Sequence, residues 1–170
     1  MDIYELIKLR KSVRSYLPKA IEDDKLNRIL DAGRLAPSAS NSQEWRFIIV
    51  KNEESRRLLA ASTNKHDFIA EAPAIIVCCA ETDQRIMRCG ISAFTVDVSI
   101  VIDHITLAAT EEGLGTCWIG GFDAEQVKQV LGIPEGIVVV ELLPIGYPRD
   151  PSLKPKNRLP LESLVHHETW

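Results

Sequence analysis

The chain has 170 residues, 45% of them hydrophobic and 26% charged, with a formal net charge of −4 at neutral pH. That length supports one domain, residues 1–170, whose core buries roughly 70% of the surface the unfolded chain would expose. The mild acidity excludes a general attraction to nucleic acid or to an anionic membrane, so any anion bound here must be held by a local cluster.

The amino terminus, MDIYE, has no basic stretch followed by an apolar core. No secretory signal is expected there, and the expected location is the cytoplasm. Residues 2–9 place Ile3, Leu6, Ile7 and Leu9 at helical spacing, and 22–36 repeats the pattern with Leu26, Ile29, Leu30 and Leu35 until Pro37 ends it. Between these two helices lies LRKSVRSY, residues 9–16, where Arg10, Lys11 and Arg14 surround Ser12 and Ser15. If the chain stayed helical here, Arg10 and Arg14 would share a face one turn apart, two guanidinium forks beside a hydroxyl, which is a good grip for phosphate. The competing reading is a solvated helix end whose cations suit the negative carboxyl terminus.

APSASNSQ is a loop by composition, and WRFIIVK (45–51) and AIIVCCA (74–80) read as strands, with short helices at 53–61 and 65–71 between them. The segment ISAFTVDVSIVIDHITLAAT, 91–110, is apolar enough to resemble a membrane span, but Asp97, Asp103 and His104 mark it as a core helix. Ile91, Phe94, Val98, Val101, Ile105 and Ala108 form one stripe, and Val96, Ile100 and Leu107 lie on the other side, so the helix is expected to be covered nearly all round. GLGTCWIGGF (113–122) follows, then a helix at 123–131, the strand GIVVVELLPIG, and a Pro-rich basic tail. Strands and helices mix without regular βαβ alternation, which predicts an α+β sandwich.

Side-chain chemistry finds little support. Cys78, Cys79, Cys89 and Cys117 lack CxxC spacing, and adjacent Cys78 and Cys79 on a strand point to opposite faces, so buried reduced thiols are expected, with Cys89 in a loop. His66, His104, His166 and His167 have no nucleophile at a recognisable elbow, and Asp97 and His104 stand roughly 10 Å of helix rise apart, too far to share a metal. No metal site is expected. GLGTCWIGG fails as a dinucleotide fingerprint because Gly113 and Gly115 follow a helix instead of a strand. Gly120 and Gly121 either let a flat ligand approach backbone amides or serve a turn. In the tail, Lys154, Lys156 and Arg158 sit among prolines that hold the chain extended, so Lys156 and Arg158 project alike. A protein without reactive apparatus of its own borrows it from a cofactor.

RKSVRSY, LAPSASNSQEWRFIIV, AEAPAIIVCCA, the helix leading into GLGTCWIGGF, and LLPIGYP followed by KPKNRLPLESLVHHETW together resemble the FMN-dependent nitroreductase family in its short form, over nearly the full chain. The resemblance implies a sandwich of a mainly antiparallel sheet with helices on both faces, forming an intertwined homodimer with FMN at the interface. It implies that Arg10, Lys11, Ser12 and Arg14 form the first flavin-binding segment. Arg10 would sit on the phosphate and Arg14 near the N1 and O2 edge of the ring, while Lys11 itself keeps the reading of a solvated charge. Lys156 and Arg158 would close over the phosphate. Pro37, Ser38, Ala39, Ser40 and Asn41 would be laid by the second subunit against the ring. Ile119, Gly120 and Gly121 would face N5 with their backbone, and Asn64 with Lys65 would touch the ribityl chain. The chemistry would be the flavin's, with no catalytic side chain: NADH or NADPH as donor, and a nitroaromatic, quinone or activated alkene as acceptor. Members that dehalogenate, fragment flavin or dehydrogenate leave those reactions open, as does a flavin carrier without turnover. Two departures stand out: Glu44 replaces a common proline in NSQEW, and the longer lid insert of larger members is missing.

Overall fold

A computed structural model of the chain describes residues 2–64, 66–153 and 155–170. The run AIIVCCA is apolar without alternation, as a strand buried on both faces must be, and it forms β2 (Ala74–Glu81) at the centre of the sheet. Antiparallel neighbours are β1 (Trp45–Val50) on one side and β4 (Ile137–Gly146) on the other, with the two-residue β3 (Gly115–Thr116) outside β4, giving the order β1-β2-β4-β3.

The described residues also form six α-helices, α1 (Ile3–Leu9), α2 (Asp23–Arg34), α3 (Glu53–Ala61), α4 (Phe68–Glu71), α5 (Ala93–Glu111) and α6 (Ala124–Leu131), with short 3₁₀ turns at Ala39–Asn41 and Leu161–Ser163. Alternation along β2 separates two layers. Ala74, Ile76, Cys78 and Ala80 join Leu26 and Ile29 of α2 and Val98, Val101, Ile102 and Ile105 of α5. Ile75, Val77 and Cys79 join Leu59 of α3, Ile69 of α4 and Val127 of α6. Helices therefore cover both faces of an antiparallel sheet, and Cys78 and Cys79 point opposite ways as expected. Cys78, Cys79 and Cys117 are buried free thiols, and Cys89 is exposed.

Strand β4 departs from regular pairing at one point. Cys78 pairs with Glu141 and Cys79 with Val139, so β4 carries an extra residue there. Such a bulge breaks the period-two alternation, and Val139 and Leu142, three residues apart, both enter the α3/α4/α6 layer.

The long helix departs from its expected cover. Ile91 precedes α5 and is exposed, Val96 is also exposed, and Thr95, Val96, Ser99, Ile100, Asp103 and His104 line an open surface groove. Only the side toward α2 and the sheet is packed, with Ala93, Asp97, Val98, Val101, Ile102, Ile105, Thr106 and Ala109 buried. A helix apolar on two sides does not say which side its own chain will cover. Its length and composition suit a membrane span, but its buried side belongs to the core. Gly33 is what brings α2 so close: a Cβ there would fall 2.7 Å from Ile105 Cγ1.

Candidate functional site

The stretch after α1 is extended, which corrects the helical spacing considered for Arg10 and Arg14. Arg10 caps α1 with φ −52° and ψ 125°, Ser12 forms a parallel bridge with Thr116, and Tyr16 forms an antiparallel bridge with Pro148. The physical reason is competition for the core. Val13 and Tyr16 retain only 6% and 1% exposure, and the Val13 N–H finds Thr116 O at 2.9 Å. Tyr16 donates its hydroxyl to Val13 O at 2.8 Å and Pro144 O at 3.2 Å, and burial pushes its phenol far above the ordinary range. Gly115 makes room for this segment, because a Cβ there would fall 2.8 Å from Val13 Cβ. Extended backbone puts Arg10, Ser12 and Arg14 on alternate positions, with one projecting direction, opposite to Val13.

The tail meets this segment. Arg149 N donates to Ser15 O at 3.0 Å, Lys11 Nζ donates to Asp150 O at 2.8 Å and also to Ser152 O, and Lys156 Nζ donates to Ile7 O. Lys11 is thus a clasp on the tail backbone. Together the two basic clusters line a cleft of about 550 Å³ with Lys8, Arg10, Lys11, Arg14, Lys156 and Arg158 against one carboxylate, Asp150. Ser12, Ser15 and Asn157 add neutral donors. The Lys156 ammonium is pushed below its ordinary value by burial first and then by the charges of Arg10 and Arg158. Cations crowded in this way favour a polyanionic ligand that relieves their mutual repulsion. Lys154 and Lys65 lie outside the described residues.

From Thr116 the same edge runs on past Cys117 to Ile119, which exchanges two hydrogen bonds with Leu142, 3.1 Å and 3.2 Å. Gly120 therefore stands across from Glu141. Asn64 N donates to Gly121 O at 3.3 Å, so Asn64 and Ile119, Gly120 and Gly121 are brought together. Gly113, just beyond α5, has φ +76°, whereas Gly120 and Gly121 are not in the left-handed region. What these two leave is space: among the described residues, a Cβ at Gly120 would meet only Glu141 Oε2, at 3.7 Å, and one at Gly121 only His66 Nε2, at 3.9 Å. A flat ligand can reach this backbone.

Two polar groups here escaped the sequence reading. Glu141 is half-buried, and its Oε1 is buried with no hydrogen-bond partner among the described residues. Burial pushes its carboxyl up to about 7, against a backbone hydrogen bond at Ile119 that pulls it down. The legible signal was a lone carboxylate inside the apolar run VVVELLP. Asp97 is the second. It is 3% exposed, and both its carboxylate oxygens accept from Ala39 N at 3.1 Å while Ser42 Oγ lies at 3.5 Å. Its signal was again a lone acid on an apolar face, weighed against a membrane span and as a metal ligand but not as a partner for the loop. Among the described residues no cluster of metal-ligating side chains occurs.

Asp97 holds the 37–43 loop in an unusual shape. Ser40, Asn41 and Gln43 have φ of 55°, 55° and 51°, a region non-glycine residues rarely adopt. Arg85 adds bonds to Ala39 O at 3.2 Å and Ser40 Oγ at 3.5 Å. None of Pro37, Ser38, Ala39, Ser40 and Asn41 lines the basic cleft of the same chain. Glu44 follows directly, half-buried, with Oε2 lacking a hydrogen-bond partner among the described residues.

The profile of the nitroreductase family matches residues 7–66 and 57–147, which takes in the basic segment, the loop, both central strands and the glycine edge. The chain belongs to the nitroreductase family. A solved nitroreductase family protein from Clostridium novyi NT superposes with a TM-score of 0.85 at 36% identity, covering 91% of this chain and 89% of that one. A relative from Archaeoglobus fulgidus, provisionally named NADH dehydrogenase/NAD(P)H nitroreductase, is 35% identical over 153 residues, 88% of this chain and 87% of its own. The FMN reductase [NAD(P)H] of Bacillus subtilis is 28% identical, over 94% of this chain and 71% of its own. As a nitroreductase-family chain, this protein is an oxidoreductase of the NAD(P)H nitroreductase and flavin reductase kind. The α+β sandwich is the nitroreductase fold.

Proposed function

We propose that the protein binds FMN and transfers hydride by ping-pong exchange from NADH or NADPH to a nitroaromatic, quinone or activated alkene. The observation that carries the reading is the meeting of the two basic clusters across the chain, with Lys156, Arg10 and Arg158 repelling one another around a cleft of about 550 Å³. Arg10, Lys156 and Arg158, with Ser12, would hold the phosphate by charge-assisted hydrogen bonds. Arg14 would lie nearer the ring, Asn64 by the ribityl chain, and the backbone of Ile119, Gly120 and Gly121 along the reactive edge. When bound, FMN supplies the hydride chemistry at N5. The chain's residues neutralise the phosphate, keep the ring flat and leave one face open for substrate stacking.

The working unit in this reading is a homodimer, with the 37–41 loop of a second copy completing each site. Support comes from apolar surface that one chain leaves bare. Every described residue from 149 to 170 is exposed, including Leu159, Leu161, Leu164 and Trp170, and α1 has no buried residue. An arm of this composition gains stability only by covering another surface. The free thiols support a reducing compartment, and with it the cytoplasm.

The visible spectrum of the purified protein, with identification of the released flavin, tests the cofactor. Anaerobic addition of NADH or NADPH should bleach it. A colourless protein that takes up no FMN would overturn the reading; flavin bleached by dithionite but by neither nucleotide would replace the enzyme with a carrier.

A further inference from the structure

Glu141 is the only ionisable residue in β4, and its place is set by backbone geometry. The bulge opposite Cys78 and Cys79 and the paired bonds between Ile119 and Leu142 put it across the strand edge from Gly120. Because residue 120 has no side chain, Glu141 Oε2 occupies its vicinity, 3.7 Å from where a Cβ would be, while Oε1 is buried with no hydrogen-bond partner among the described residues. A buried carboxyl with an idle oxygen is costly to keep unless it is neutral or has a transient partner.

Resting on the flavin reading, we propose that the Glu141 carboxyl is a proton-coupling group for the redox centre held along Gly120, taking up one proton when two electrons arrive and releasing it when they leave. Hydride transfer brings two electrons with one proton, so one negative charge is added to the site. Glu141 answers it by forming one O–H bond with a proton drawn from solvent. In the second half of the cycle a quinone acceptor needs one hydride and one further proton to become a hydroquinone, and the O–H bond of Glu141 breaks as that charge departs. Atoms and electrons balance with the donor and acceptor already named.

The surroundings suit this. Among the described residues, the titratable groups acting with Glu141 are thiols, Cys78 on β2 and Cys117 on the adjoining edge, both raised by burial. Arg14 and Arg10 bear on Cys117, and His66 stands beyond Gly121. A carboxyl pushed up to about 7 exchanges its proton near neutral pH, where a modest added charge changes its occupancy most.

The test is the midpoint potential of the FMN-loaded protein against pH, for wild type and Glu141→Gln. Each proton coupled to a two-electron step adds about 30 mV per pH unit. Across the interval in which Glu141 titrates, the wild-type slope should exceed that of the variant by about that amount, and Glu141→Asp should keep the extra slope while moving its interval. A merely structural role would shift the potential without changing its slope. Equal slopes in wild type and Glu141→Gln, with FMN bound to both, would overturn this inference and leave the flavin reading standing; failure to bind FMN would overturn both.

Discussion

Replacing Glu141 by glutamine keeps its size and removes its charge, and the stability consequence has a definite sign. The folded carboxyl is raised from 4.5 to about 7. Below pH 4.5 it is protonated in both folded and unfolded chains and contributes no difference. Between 4.5 and about 7 the unfolded chain has lost its proton while the folded chain retains it, so stability falls as pH rises, and the full penalty is present above about 7. At about 1.4 kcal/mol per pH unit the displacement corresponds to about 3 kcal/mol. The group is half-buried, so solvent screening reduces this to about 1–2 kcal/mol. Glu141→Gln should therefore match wild type near pH 4.5 and exceed it by about 1–2 kcal/mol at pH 8, about 2–8 °C in melting temperature for a chain of this size. Thermal and urea unfolding at several pH values and one protein concentration measures it. A difference between the two proteins that is constant across this range would refute the assignment of the raised carboxyl to Glu141.

Asp97→Ala strands the Ala39 N–H and should cost about 1.5–3 kcal/mol, the range for hydrogen bonds to a charged group. Limited proteolysis should then open the chain between residues 38 and 43, and Asp97→Asn, which keeps one acceptor oxygen, should be milder in both respects. Gly115→Ala drives a methyl into Val13 and should cost about 1–3 kcal/mol by overpacking. Because the same segment carries Arg10 and Ser12, calorimetry should also find weaker FMN binding. Arg10→Ala should weaken FMN by about 1–3 kcal/mol, roughly 5- to 150-fold in flavin-fluorescence titration. An unchanged dissociation constant would remove Arg10 from the phosphate.

Much of the fold was legible along the chain because it depends on neighbours in sequence. AIIVCCA is buried on both faces and reads that way. Helix limits at Pro37 and the strand WRFIIV follow from backbone restrictions and β-branching. The basic character of both termini was likewise visible, as was the order of motifs that marks the family. What local pattern left undecided was conformation under tertiary demand. LRKSVRSY fits a helix by its charges, yet its Val13 and Tyr16 are taken by the core, and the extended edge beside Thr116 wins. On α5 the apolar residues on two sides could not tell which side its own chain would cover.

Sequence by itself determined the α+β character of the chain and its local cationic clusters, and offered no recognisable metal or nucleophile motif, because composition, periodicity and motif spacing are properties of adjacent residues. Only tertiary structure decided that Lys156 comes to Arg10 across almost the whole chain, that Asp97 shapes the loop at Ala39, and that Glu141 faces Gly120. Each of those is a long-range contact, and a bulge or an edge pairing that shifts register by one residue would have redirected it.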